Sequence, residues 1–286
     1  MRRLRRPVVA GTLAVLGIVT LSGCRASWAD GLLPRGVTED SVLVNNLWVG
    51  AWIPVLLVGI LVWGLTIYAL IRFRAKDGDD ELPEQVQYNI PLEVLYTVVP
   101  LLMVGVFFYF TARDESALMD TSKTPDVTIN VVGKQWSWDF NYVDSNVHEA
   151  GTMAELTGNP GVEETLPTLY LPVDQRVEFV LTSRDVIHSF WVPAFLKKLD
   201  MIPGRVNKFQ VVPNQIGTFQ GKCAELCGAY HSQMLFNVKV VSQADYEQHM
   251  NDLKAAGQTG LLANDLNRDV IVDQDQHLIP TANGSN

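Results

Sequence analysis

The sequence predicts a two-helix transmembrane hairpin followed by an all-β domain, and three observations predict it. Two long runs without a formal charge, Leu47–Ile71 with 25 residues and Val94–Ala112 with 19, flank a short polar loop. Beyond Arg113 the chain turns to short β-branched runs punctuated by Pro and Gly, the mark of a sandwich or barrel. The extreme N-terminus is basic and then apolar over a stretch too short to be a third span.

Each uncharged run is long enough to cross a bilayer as a helix at about 1.5 Å per residue. Pro54 and Pro100 are tolerated in membrane helices, where neighbouring groups satisfy the freed backbone. Arg72, Arg74 and Lys76 follow the first run directly, and the positive-inside rule places that loop in the cytoplasm. Both outer ends of the hairpin, and the C-terminal domain with them, then lie outside.

The N-terminus agrees independently. Arg2, Arg3, Arg5 and Arg6 precede the apolar Pro7–Thr20, and Leu21-Ser22-Gly23-Cys24 follows. This resembles the bacterial lipobox, which implies cleavage before Cys24 and a lipid on its sulfur. The expected organisation is a signal peptide at 1–23, an extracytoplasmic segment at 24–46, the hairpin at 47–112, the β-domain at 113–256 and a polar tail at 257–286.

Strands are predicted at Val127–Val132, Arg176–Leu181, Val206–Val212 and Leu235–Val241, where β-branched or alternating residues run between turn signals. Val143–Leu166 reads as an exposed insertion, and the residues after Gly257 as a mobile tail. From Arg113 onward there are 13 Lys/Arg against 22 Asp/Glu, so this region holds the whole formal charge of −9. Such a surface repels phosphate, which argues against a nucleic-acid partner; it suits plain solubility or a basic protein partner.

Three cysteines are too few for a disulfide framework. Cys223 and Cys227 belong to Cys223-Ala-Glu-Leu-Cys227-Gly-Ala-Tyr-His231-Ser-Gln-Met234, with His188 upstream in Asp185-Val-Ile-His188-Ser-Phe-Trp-Val-Pro193. Thiolate, imidazole and thioether together suit copper, whereas zinc gains little from Met. A mononuclear blue-copper site uses one Cys. The second thiolate here allows two metals to share both sulfurs, with Met234 and a backbone carbonyl of the loop as axial donors. The alternative for the cysteine pair alone is a structural disulfide, which an exported domain permits. His148, His249 and His277 have no such neighbours and read as surface residues.

From the first span to about Ser242 the sequence resembles subunit II of cytochrome c oxidase. The resemblance rests on the hairpin, Gln135-Trp-Ser-Trp138, His188-Ser-Phe-Trp-Val-Pro193, Asp200-Met-Ile-Pro-Gly-Arg205 and the Cys/His/Met motif. It implies a cupredoxin-like Greek-key domain with a binuclear CuA centre. The ligands it implies are His188, Cys223, Cys227, His231 and Met234, with the main-chain carbonyl of Glu225. The Glu225 side chain resembles a magnesium ligand shared with subunit I. Trp136 falls at the family's electron-entry tryptophan; as strand residues, Trp136 and Trp138 would share one face. Glu93 matches the family's glutamate at the cytoplasmic mouth of a proton pathway, while its position alone reads as an interfacial carboxylate favoured by a helix N-terminus. Asp200 and Arg205 fall at the interface with subunit I. The implied partners are oxidase subunits I and III, the lipid bilayer and a cytochrome c. Arg184 stands where the family often has an acid, a departure from the usual docking surface for a strongly basic soluble cytochrome c, so the expected donor is cytochrome c or a membrane-bound or fused cytochrome c domain.

Three other classes share parts of the pattern. Nitrous oxide reductase has the same metal motif without the hairpin. A quinol oxidase subunit II has the hairpin without the ligands. A copper-carrying lipoprotein has no need of Glu93 in a second span.

Overall fold

The computed structural model describes residues 30–74, 85–155 and 165–264. The leader, Cys24 and His277 lie outside them. Helix α1 spans Ser41–Arg72 and α2 spans Ile90–Leu118, and both uncharged runs fall inside these helices. Each is long and apolar enough to cross a membrane. Leu57, Ile60, Trp63 and Ile71 of α1 and Leu101 and Phe108 of α2 are exposed, a surface that needs lipid or protein around it.

Helix α2 opens with a reciprocal cap. The Asn89 side chain accepts from the Leu92 N–H (3.2 Å), and the Glu93 carboxylate accepts from the Asn89 N–H (2.9 Å). Two of the donors left over at a helix start are satisfied in this way.

Among the described residues ten strands follow: β1 Val127–Lys134, β2 Ser137–Tyr142, β3 Val147–Ala150, β4 Thr168–Pro172, β5 Val177–Ser183, β6 His188–Val192, β7 Lys197–Met201, β8 Asn207–Val211, β9 Gly217–Cys223 and β10 Leu235–Val241. They form two five-stranded sheets, ordered β3-β2-β1-β5-β8 and β4-β10-β9-β6-β7. Pairing is antiparallel except for β1 with β5 and β4 with β10. The expected hairpin plus β-sandwich is what the chain forms. The sheets enclose an aromatic core in which Phe236 stacks on Phe190 at 5.1 Å and meets Trp138 at 5.0 Å.

Four expectations change. Strand β3 lies within the stretch read as an exposed insertion, and Val147 is fully buried; the segment is ordered because it pairs antiparallel along the edge of β2. The start of the tail is held there too. Asn141 bonds Leu262 twice (3.0 and 2.8 Å), and the Gly260 N–H donates to the Asn146 carbonyl (2.9 Å). A third helix, α3 at Gln243–Ala255, follows β10. It is capped by Ser242 accepting from the Asp245 N–H and buries Tyr246, Met250 and Leu253. His148 and His249 are also not plain surface groups. His148 bonds the Gly260 carbonyl at 3.0 Å, and His249 stacks on Tyr170 at 3.6 Å.

Candidate metal centre

Adjacent strands and one loop build the centre. The register of β6 against β9 sets Phe190 opposite Cys223, so His188 at the start of β6 lies beside the loop that leaves β9. That loop, residues 223–234, is closed at its neck by the Cys223 N–H donating to the Met234 carbonyl (3.0 Å). It is fastened to β6 by the Ala224 N–H on the Ser189 carbonyl (3.1 Å). Gly133 leaves room for the imidazole, since a Cβ there would stand 3.0 Å from His188 Cδ2.

Cys223 and Cys227 are buried free thiols with sulfurs 3.8 Å apart, far beyond a disulfide bond of about 2.05 Å. Around Cys223 Sγ stand His188 Nδ1 at 3.8 Å and the Glu225 carbonyl at 3.2 Å. Around Cys227 Sγ stand His231 Nδ1 at 3.4 Å and Met234 Sδ at 3.8 Å. Each sulfur thus has one imidazole and one weaker donor. The ligand atoms of His188, Cys223 and Cys227 lie within 4.8 Å of one another. The separation of the sulfurs is less than twice a metal–thiolate bond of about 2.3 Å, so a single ion can touch both. The donor set is therefore of the right chemistry and spacing for a pair of soft ions.

Electrostatics divide the two thiols. Burial pushes the Cys223 thiol up, but His188 and nearby backbone groups outweigh it and bring it down to about 7. Burial and the neighbouring Cys223 push Cys227 up to about 12. Metal binding at the pair requires both sulfurs as thiolates and therefore releases protons.

Asp185 orients His188. Its Oδ1 lies 2.8 Å from His188 Nε2 and accepts from the Val186 N–H (2.7 Å), while Oδ2 accepts from the Gln135 N–H (2.6 Å). Burial opposes charge on His188, yet the bonds to Asp185 and Cys223 hold its pKa above the usual value. With Nε2 committed to the carboxylate, Nδ1 faces Cys223. Asp185→Asn is expected to weaken metal retention by roughly 10–100-fold while leaving the fold intact. Competition with a chelator checks this, and unchanged retention would mean that packing alone orients His188.

Gln135 and Trp136 sit above Cys227. The Gln135 amide (2.7 Å) and the Trp136 indole N–H (3.2 Å) both donate to its carbonyl, and Trp136 meets Tyr230 edge-on at 4.9 Å. Trp136 and Trp138 do not share a face. Strand β2 begins only at Ser137, so the turn before it sends Trp136 over the loop while Trp138 enters the core. Gly228, at φ +126°, permits this approach, since a Cβ there would lie 3.1 Å from the indole. Leu226, Tyr230 and Ile187 leave an apolar rim at the surface, 79%, 45% and 45% exposed.

The structure gathers His188, Cys223, the Glu225 carbonyl, Cys227, His231, Met234 and Trp136 into one place. The Glu225 side chain is exposed. Glu93 is at the far end of α2 from the β-domain, and Cys24 lies outside the described residues. Asp185, Gln135 and Tyr230 are neighbours of the candidate centre that the sequence did not single out; Asp185 had a signal, three residues before the candidate ligand His188.

Residues 127–241 match the family model described as "Cytochrome C oxidase subunit II, periplasmic domain". The chain is 49% identical over 290 residues to the probable cytochrome c oxidase subunit 2 of Streptomyces avermitilis, covering 91% of this chain and 90% of that one. It is 36% identical over 301 residues to cytochrome c oxidase subunit 2 of Mycobacterium tuberculosis, covering 87% and 82%. A solved structure, the periplasmic domain of subunit II of cytochrome oxidase of Bradyrhizobium japonicum, is 32% identical with a TM-score of 0.43, covering 47% of this chain and 97% of that one. Similarity at this level runs through the hairpin as well as the loop at 223–234, and the chain belongs to the cytochrome c oxidase subunit 2 family.

Proposed function

We propose that this chain is the electron-entry subunit of a proton-pumping heme-copper oxidase. In this reading it takes electrons from cytochrome c, or from a membrane-bound cytochrome c domain, at a binuclear CuA centre. It delivers them to a heme of subunit I, where oxygen is reduced. The observation that carries this reading is the division of the donors into two similar halves around two thiols 3.8 Å apart. Copper held there by His188, Cys223, Glu225, Cys227, His231 and Met234 would supply one-electron exchange with the charge shared over two ions. The chain's own residues keep the ligands in place: Asp185 fixes one imidazole, the neck bond at Cys223 and Met234 fixes the loop, and the sandwich beneath resists movement on redox change.

Trp136 is the proposed point of entry, because its indole N–H bonds the backbone of a ligand cysteine and the rim beside it is apolar. Trp136→Phe removes that bond and keeps an aromatic ring, a smaller one. It is expected to slow turnover with reduced cytochrome c more than tenfold, roughly the worth of one catalytic contact, while artificial donors that bypass the surface still support oxygen uptake. Stopped-flow kinetics with both donor types checks this; equal losses would make Trp136 structural.

Glu93 is the proposed cytoplasmic entrance of a proton path. Its carboxylate also caps α2, and Gln keeps that acceptor, so Glu93→Gln isolates ionisation. Slower turnover with unchanged copper spectra is expected; wild-type turnover would leave Glu93 as a cap only. Two remaining assignments follow the family resemblance: magnesium at the Glu225 carboxylate, and subunits I and III as partners. Two rest on the sequence itself: both helices crossing the membrane with the β-domain outside, from Arg72, Arg74 and Lys76 in the connecting loop, and a lipid on Cys24, from the lipobox-like Leu21-Ser22-Gly23-Cys24.

A further inference from the structure

We infer that Lys197 is the joint that fixes the metal-binding domain over the membrane hairpin, and so is a positioning residue for electron delivery. Its ammonium is almost wholly buried, with the side chain 7% exposed. It faces three acceptors, one for each of its N–H bonds: the Asp40 carboxylate at 3.3 Å, the Leu118 carbonyl at 2.6 Å and the Gln210 carbonyl at 3.1 Å. Each acceptor belongs to a different body. Asp40 is the N-cap residue of α1, and its carboxylate makes no capping bond to the helix. Leu118 is the last residue of α2, where helix carbonyls lack partners and the dipole favours a cation. Gln210 lies in β8. The ammonium also stands 5.2 Å above the Phe209 ring.

The two helices are not equivalent at this joint. The start of α1 has backbone ties of its own, since the Val37 N–H donates to Ala194 and the Glu39 N–H to Val212, both at 3.0 Å. The end of α2 meets the domain at the Leu118 carbonyl through Lys197. The linker after it is held by the Gln210 amide on the Lys123 carbonyl at 2.8 Å. Lys197 thus binds both helix ends and the sandwich at one point. It lies on the strand that pairs with β6, with Lys197 opposite Val192 and Met201 opposite His188. A change of tilt at Lys197 is carried along β7 to the ligand histidine. Burial pulls the Lys197 pKa down and Asp40 opposes this; an ammonium in such a place is held by its partners.

The test uses the full chain in lipid nanodiscs, with a keto-bearing amino acid introduced at each of two exposed positions, Leu101 of α2 and Thr218 of β9, to take a keto-reactive spin label. Lys197→Met keeps the apolar stem and removes all three bonds. The distance distribution between the labels is expected to broaden at least about twofold, as a local joint opens without global unfolding. Lys197→Gln, which keeps two donors, is expected to fall between and serves if the Met variant does not fold. Wild-type widths in a folded variant would overturn the inference. The effect on electron delivery rests on the function proposed above: in the assembled oxidase, transfer from the copper centre to the subunit I heme is expected to slow while the copper signal stays unchanged. A wild-type transfer rate with a broadened distribution would deny Lys197 its role in delivery. A missing copper signal in the unmutated chain would sink the function and leave the distance result standing.

Discussion

Cys227→Ser is expected to leave at most one copper ion per chain and to reduce cytochrome c-driven turnover of the oxidase to background. Cys227 is the residue on which the two halves of the site meet. Its sulfur is within 3.8 Å of Cys223 and Met234 and 3.4 Å from His231. A serine oxygen is a hard donor that is not ionised near neutral pH, and it does not bridge soft ions. The loss should exceed the roughly 10–100-fold that removing an outer hydrogen-bond partner of a ligand costs. The fold should survive, because sulfur and oxygen are close in size and the loop neck at Cys223 and Met234 is untouched. Metal analysis, circular dichroism and oxygen uptake on the purified complex check this together. Two retained coppers with near-normal turnover would mean that Cys227 is not a shared ligand.

The largest effect on stability is expected at Trp138→Ala. Trp138 is fully buried, packs on Phe236, Phe190 and His188, and donates its indole N–H to the Met234 carbonyl at 3.3 Å. Truncating a buried aromatic costs about 3–5 kcal/mol, and the lost hydrogen bond adds about 1 kcal/mol. Against a total of about 5–15 kcal/mol for a domain, that threatens folding. Trp138→Phe keeps most of the packing and should cost about 1–2 kcal/mol. Thermal and urea unfolding of the metal-free chain in detergent, followed by near-ultraviolet circular dichroism, would report both. A loss below about 1 kcal/mol for the alanine variant would mean that the core closes over the gap.

The hairpin was legible in the sequence because absence of charge over a long run has few other causes. Its ends were not, since α1 and α2 continue to Ser41 and Leu118 on polar residues. Four strands were read from β-branched runs, but β7, with Lys197, Lys198 and Asp200, carries no such signature and is held by pairing with β6. Helix α3 did leave a mark, with Ser242 and Asp245 at its start and Tyr246, Met250 and Leu253 on one face. The parallel pairing of β1 with β5 joins segments 50 residues apart, and no local pattern encodes it. The same holds for the site. Cys223, Cys227, His231 and Met234 share one short stretch and could be read directly. Gln135 and Trp136 reach the centre only through pairing of distant strands, and Lys197 meets Asp40 and Leu118 only once both helices are seated.

The central claim is the paired copper site, and the most direct test is metal content with electron paramagnetic resonance on the purified full-length chain loaded with copper. Two copper ions per chain and a seven-line mixed-valence signal are expected, the pattern of one unpaired electron shared by two equivalent nuclei. A single copper with a four-line signal, zinc in its place, or a disulfide between Cys223 and Cys227 in the native protein would contradict it.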